Sequence, residues 1–235
     1  MKRISLIGPI LVAAALLLGL HAAPAQAGRG EAPASYPAAG GLRVAKLVAR
    51  TRPDASAPVA RVFRQFRPDY RPQIVLAVGS RVGADGRVWL HIELPMRPNG
   101  RLGWVPAETV DVAPVPYRIL VHRGSRRMEL FRGNKLVYAT TVAVGRPGME
   151  TPLGHFYVQA RFHPDDPFLG SFAFETSAYS RLTDWPGGGV VGIHGTSLPG
   201  LLGQAVSHGC VRMSNTAALV LKRYVALGTP ISIIA

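Results

Sequence analysis

At 235 residues the chain has room for one large or two small domains, each able to bury a core. Its 48% hydrophobic content excludes collagenous and wholly disordered chains, and its single cysteine excludes an intramolecular disulfide or a zinc site built on two thiolates. The formal net charge of +14 invites a nucleic-acid partner, but no run of five like charges occurs, and residues 42–112 and 117–235 each hold 12 bases and 6 acids. Charge spread this evenly makes no stripe, so no nucleic-acid partner is expected.

Lys2 and Arg3 precede an uncharged apolar run over residues 4–20, and Ala25-Gln26-Ala27 offers small residues at the two positions a signal peptidase reads. Residues 1–27 are therefore expected to be a signal peptide, with no stable membrane anchor left after cleavage and the protein exported to the periplasm or the extracellular cell wall. Cleavage removes two bases and no acid and lowers +14 to +12. Outside the cell, a charge of this kind suits retention on an anionic surface such as a wall polymer.

Residues 28–41, rich in Gly, Ala and Pro, read as a flexible linker. From Leu42 to Val112, short alternating runs (LRVAKLVAR, VARVF, IVLAV, RVWLHIEL, RLGWVP) are broken by Gly, Pro and Asp turns, the pattern of a small all-β barrel. Trp89 and Trp104 suit its core, with a ligand groove as their other use. Val112-Ala113-Pro114-Val115-Pro116 reads as a stiff joint, because prolines lack the amide a ladder needs. Beyond it, residues 117–235 carry further strands (YRILVHR, MELF, KLVYATTVAVG, HFYVQARF, VVGIH), one clear helix from Ser214 or Asn215 to about Leu227, and a closing strand, ISII. The fold class is mainly β: a small all-β barrel followed by a β-rich domain with one C-terminal helix.

The chemistry-bearing residues fall between 190 and 213. VVGIHGT ends a strand at His194, and SHGCVRM, from Ser207 to Met213, holds the one cysteine, Cys210. Alone, such a thiol is a buried small side chain, and such a histidine is satisfied by hydrogen bonds. Gly209 changes this, because a missing side chain before the sulfur admits a substrate carbonyl and lets consecutive amides converge. Cys210 leads into a short extended run rather than a helix, so an imidazole is its expected activator.

These segments resemble the L,D-transpeptidase catalytic domain, whose signature is an upstream His-Gly and a Ser/Thr-His-Gly-Cys followed by an apolar residue and Arg or Asn. The likeness runs from Tyr117 to Ala235 and includes Thr151-Pro152-Leu153-Gly154, similar to the family's Thr-Pro-x-Gly segment. The short His194–Cys210 connection departs from members with a long substrate-covering lid. The segment around Trp89-Leu90-His91-Ile92 and Gly103-Trp104-Val105 resembles the bacterial Src-homology-type barrels found beside cell-wall enzymes.

The resemblance implies an acyltransferase acting on peptidoglycan stem peptides. Cys210 would be the nucleophile and His194 the general base and proton donor. Backbone amides of Gly209 and Cys210, with His208, would form the oxyanion site; Gly195 and Ser207 would orient the site; and Arg212, Thr151 and Gly154 would contact substrate. Arg212 also suits a structural salt bridge, and Thr151 and Gly154 an ordinary hairpin corner. Trp185 and Gly187-Gly188-Gly189 could shape a mobile rim. His155, His163, Asp165 and Asp166, with His194, His208 and Cys210, offer the donors of a zinc hydrolase, but no His-Glu-x-x-His spacing exists. No metal and no cofactor are expected. The alternatives are a non-catalytic wall-binding protein, an L,D-carboxypeptidase, or attachment of proteins to the wall by the same site.

Overall fold

The computed structural model describes residues 30–184 and 186–235. The expected signal peptide and Trp185 lie outside the described residues. The chain is mainly β, with two large sheets and a single α-helix near its C-terminus among the described residues.

The first sheet contains β1 (Ala38–Leu42), β2 (Lys46–Arg50), β3 (Val59–Arg64), β4 (Ile74–Val82), β5 (Val88–Glu93), β6 (Leu102–Pro106) and β7 (Val110–Pro114). Its order is β3-β2-β6-β5-β4-β1-β7, a curled half-barrel whose end strands β3 and β7 are not neighbours in the ladder. Alternation drives it: Leu47 and Ala49 of β2, Leu90 and Ile92 of β5 and Val105 of β6 point into one core, with Phe63 and Val75. Trp89 is buried, its indole Nε1 donating to Asp85 at 3.2 Å, whereas Trp104 is half-buried and stacks on His91 with ring centroids 4.2 Å apart.

Two boundaries differ from the sequence reading. The linker expected over 28–41 includes residues of a strand, because β1 pairs with both β4 and β7. The glycines that suggested slack chain allow close packing instead: a Cβ on Gly40 would stand 1.7 Å from the Asp111 carbonyl oxygen. The proline joint likewise begins inside the ladder. Pro114 ends β7 opposite Ala38, and β7 is an edge strand, where a missing amide costs no ladder bond.

The second sheet is built from β8 (Tyr117–His122), β9 (Arg127–Arg132), β10 (Lys135–Thr141), β12 (Gly154–Phe162), β13 (Ala173–Tyr179), β14 (Val190–His194), β16 (Val211–Arg212) and β17 (Pro230–Ile234). Its order is β10-β9-β8-β17-β12-β13-β14-β16, while β11 (Val144–Gly145) and β15 (Ala205–Ser207) form a separate parallel pair. The closing strand β17 enters between β8, to which it is parallel, and β12. One face buries Ile119, Leu130, Phe156, Phe174, Ile193 and Val211 against the helix α1 (Asn215–Tyr224), whose Ala217, Ala218 and Leu221 are also buried.

Ser214 caps α1, its Oγ accepting the Ala217 amide at 3.1 Å. The helix ends at Tyr224, three residues before the expected Leu227. Val225 has already left helical geometry, and the Ala226 amide turns to the hydroxyl of Thr229 at 3.0 Å.

The two sheets share a polar and apolar junction. Tyr157 of β12 is fully buried and donates its hydroxyl to the Ile74 carbonyl of β4 at 3.0 Å. Asn99 bonds both the carbonyl (2.8 Å) and the amide (3.0 Å) of Tyr179, so a side chain continues the edge of β13. Arg97 donates to the carbonyls of Ser180, Leu182 and Gly188.

Candidate active site

Parallel pairing of β14 with β16 sets His194 opposite Arg212 and brings the segment after Ser207 against the VVGIH strand. Gly192 and His194 are two apart on β14 and therefore share a face. The Gly192 amide donates to the Cys210 sulfur at 3.3 Å, and a Cβ on Gly192 would approach both the His194 ring (3.5 Å) and that sulfur (3.7 Å). The sequence reading missed Gly192. Its signal was a glycine two residues before the histidine on one strand face.

His194 is 3% exposed, and its Nδ1 lies 2.6 Å from the Gly195 carbonyl oxygen. A carbonyl only accepts, so Nδ1 carries the proton in the neutral ring and Nε2 presents a lone pair. Burial lowers the imidazole pKa to about 4; the carbonyls of Gly195 and Leu169 oppose the shift, and the Arg212 charge adds to it. Burial also pushes the Cys210 thiol up, opposed by the Gly192 amide and Arg212. Both groups are accordingly neutral at pH 7.

Ser207 is fully buried. Its hydroxyl donates to the Cys210 carbonyl at 2.6 Å and accepts the Gly209 amide at 3.1 Å, which pins the turn that presents the sulfur. This corrects one expectation: the Gly209 amide is directed at Ser207 rather than at the substrate side of the thiol. The glycine is still required, because its φ is +121° and a Cβ would stand 2.9 Å from the Ser180 Cβ. His208 is half-buried, its pKa lowered by burial and by the charges of Arg146 and Arg212.

Arg212 is 6% exposed and holds its guanidinium carbon 4.6 Å from the Phe168 ring centroid. It forms no ion pair among the described residues, so the structural salt bridge is absent there. Its backbone exchanges hydrogen bonds of 2.8 Å with Ala143.

Thr151 and Gly154 do not line the groove. Thr151 is fully buried, its hydroxyl accepting the Gly145 amide at 2.9 Å and its carbonyl accepting from Arg123 at 3.0 Å, while Gly154 opens β12 opposite Ile233. The same turn exposes Glu150 and Pro152 to a cavity instead. Asn215, read only as a possible helix cap, also braces the site: its Oδ1 accepts the amides of Ser171 (2.9 Å) and Thr196 (3.2 Å) and so fixes the turn after His194.

His194 and Cys210 lie on the wall of a cavity of about 620 Å³ that is also lined by Arg61 of β3 and by Arg67 and Gln73 of the connection to β4. A second cavity, of about 610 Å³, lies between Arg97 and Asn99 on one side and Glu150, Pro152 and Arg181 on the other; Tyr179 borders both. Among the described residues no three His, Cys, Asp or Glu side chains gather as metal ligands. His155 contacts Ser232, and His163 bridges the Ser171 carbonyl and Lys222. No helix of the described residues is long and apolar enough to cross a membrane.

A half-buried thiol and a neutral imidazole bordering one cleft define a cysteine–histidine site at the edge of a β-sheet. Residues 116–233 match the YkuD family, the L,D-transpeptidase catalytic domain, and the chain belongs to that family. It is 33% identical over 160 residues, 65% of its length and 90% of the relative's, to the Bacillus licheniformis protein named for L,D-transpeptidase activity, YkuD. Its Bacillus subtilis counterpart is 30% identical over 161 residues, 66% of this chain and 92% of that one. Among solved structures, an L,D-transpeptidase from Mycobacterium smegmatis overlays on 63% of this chain and 90% of its own with a TM-score of 0.44 at 14% identity.

Proposed function

We propose that the protein is a peptidoglycan L,D-transpeptidase, exported by the leader over residues 1–27, with Cys210 as nucleophile and His194 as general base. The observation that carries this reading is that both side chains border one cavity, with the Gly192 amide on the sulfur. Since thiol and imidazole are both neutral at rest, attack and proton transfer are coupled. Sγ forms a bond to the carbonyl carbon after the third residue of a donor tetrapeptide while Nε2 of His194 takes the thiol proton.

The tetrahedral intermediate places its negative charge near the amide of Cys210, since the Gly209 amide is engaged by Ser207. The imidazolium then gives its proton to the departing nitrogen, D-Ala leaves as the amine, and a thioester remains. An acceptor amine adds to the thioester carbon and loses its proton to His194, which returns it to the leaving sulfur. Crosslinking is the outcome when the amine belongs to a second stem peptide; water in its place gives a tripeptide. The first sheet, similar to wall-associated barrels, and the even excess of Arg hold the enzyme on the anionic wall.

Intact-mass spectrometry of the protein with a disaccharide tetrapeptide tests the reading. The expected result is a covalent adduct on Cys210 with loss of D-Ala, absent from Cys210→Ala. Equal product from both proteins would remove the thiol mechanism. Assay of the product pool then separates crosslinked dimer from tripeptide.

A further inference from the structure

Part of the wall of the cavity that holds Cys210 does not come from the catalytic sheet. Arg61 of β3, Arg67, Asp69 and Gln73 belong to the N-terminal half-barrel and its following loop, and they line the same cavity of about 620 Å³ as Gln159, Glu175, His194 and Cys210. That volume is of the size small-ligand sites use. The two arginines differ in how their charge is met. Arg67 donates to Gln159 Oε1 at 3.2 Å, pairs closely with Glu175 and lies 3.5 Å from Asp69, so its charge is fully answered within the protein.

Arg61 has no such partner. It forms no ion pair among the described residues, and its Nε, out of contact with solvent, lacks a hydrogen-bond partner there. Its guanidinium carbon stands 5.2 Å from the ring centroid of Phe63, two residues along the same strand face. The buried Phe63 thus supports the fork without neutralising it. A planar guanidinium that lines the cavity with no carboxylate paired to it among the described residues can meet one in two-point geometry.

We infer that the cleft between the half-barrel and the catalytic sheet is the donor-peptide site, and that Arg61 binds a carboxylate of that peptide and selects for it. The inference rests on the proposed transpeptidase reading for the identity of the peptide. It gives the N-terminal sheet a part in substrate choice besides any attachment to the wall. A donor tetrapeptide whose third residue is a diaminodicarboxylic acid offers two carboxylates flanking the reacting carbonyl: that residue's side-chain carboxylate and that of the terminal D-Ala.

The test uses the full chain carrying Cys210→Ala, so that binding is read without turnover. Three probes are compared: a stem tetrapeptide with both carboxylates free, one amidated at the diamino-acid side chain, and one amidated at the C-terminus. The free acid is expected to bind about tenfold more tightly than one of the amides, which identifies the carboxylate that Arg61 holds. Adding Arg61→Ala should abolish that preference, and Arg61→Lys should keep part of it. A purely structural arginine would weaken all three probes together and leave their ratio unchanged. No binding, no acid preference, or the same preference after Arg61→Ala would each overturn the inference. Acylation of Cys210 in the native protein is scored separately. Acylation with an Arg61-independent preference sinks this inference alone, while Arg61-dependent binding without acylation sinks the transferase reading alone.

Discussion

Two buried polar clusters, one at Cys210 and one at the junction of the sheets, are built alike and put to different use. At the site, the Ser207 hydroxyl accepts a backbone amide and donates to a carbonyl, and burial keeps the His194 imidazole neutral. At the junction, the Ser177 hydroxyl accepts the Tyr157 amide at 2.9 Å and donates to Glu93 Oε1 at 2.8 Å, and burial raises the Glu93 pKa to about 8, keeping that carboxyl neutral too. The difference is access. His194 and Cys210 border a cavity that a peptide could enter, whereas Glu93 lies 5% exposed and borders neither large cavity. Desolvation therefore leaves a neutral imidazole at a cavity in one place and a tie between sheets in the other, and the pKa shift by itself does not tell them apart.

The widest separation comes from His194→Gln. Removing the imidazole should cut acylation of Cys210 by about 10²- to 10⁴-fold with the fold retained, read as adduct formation against time. In the native protein, the acid limb of acylation should fall near pH 4, where the buried ring takes up its proton. An acid limb at the ordinary histidine value near 6.5 would mean that the ring is solvated during catalysis.

Stability against pH separates the clusters by sign. Glu93 has a folded pKa of about 8 against an ordinary 4.5, so the unfolded chain sheds this proton first as pH rises. Its contribution is intact below pH 4.5 and is lost as pH climbs towards 8, at up to about 1.4 kcal/mol per pH unit. His194 runs the other way: its contribution is present above about pH 6.5 and is lost as pH falls towards 4. Between pH 4.5 and 6.5 the two contributions oppose each other, so in denaturant unfolding His194→Gln should lose stability with rising pH there and Glu93→Gln should gain it. Between pH 6.5 and 8 Glu93→Gln should be flat where the native protein declines. An unchanged alkaline slope in Glu93→Gln would place the titration elsewhere.

How much of this was legible depended on whether the signal was local. Cys210, Gly209 and His194 announce themselves because a thiol, a small residue and an imidazole sit in short stretches, and alternation in LRVAKLVAR and RVWLHIEL gives the strands directly. Glu93, Ser177 and Tyr157 gave no sign, since their contact spans 84 residues between Ser177 and Glu93 and arises only when the sheets meet. Arg61 was one of 23 arginines until its neighbours in space showed which of them had a carboxylate. Thr151 misled for a related reason. A turn motif shows that the chain bends, but not which of its side chains turns inward, and here that is the threonine while Glu150 and Pro152 face the cavity.

The two serines give the smallest and most direct comparison. Ser207→Ala strands the Gly209 amide and the Cys210 carbonyl; Ser177→Ala strands the Tyr157 amide and takes one hydrogen bond from Glu93. Each loss leaves buried polar groups unmatched at a cost of about 1–3 kcal/mol, so both variants should shift denaturant midpoints by similar amounts. Only Ser207→Ala should also slow acylation, by about tenfold, because its two bonds fix the turn that carries the sulfur and a misplaced nucleophile loses rate. Equal acylation rates in the two variants would show that the sulfur is positioned without Ser207, leaving the Gly192 amide and the β14–β16 pairing to hold it.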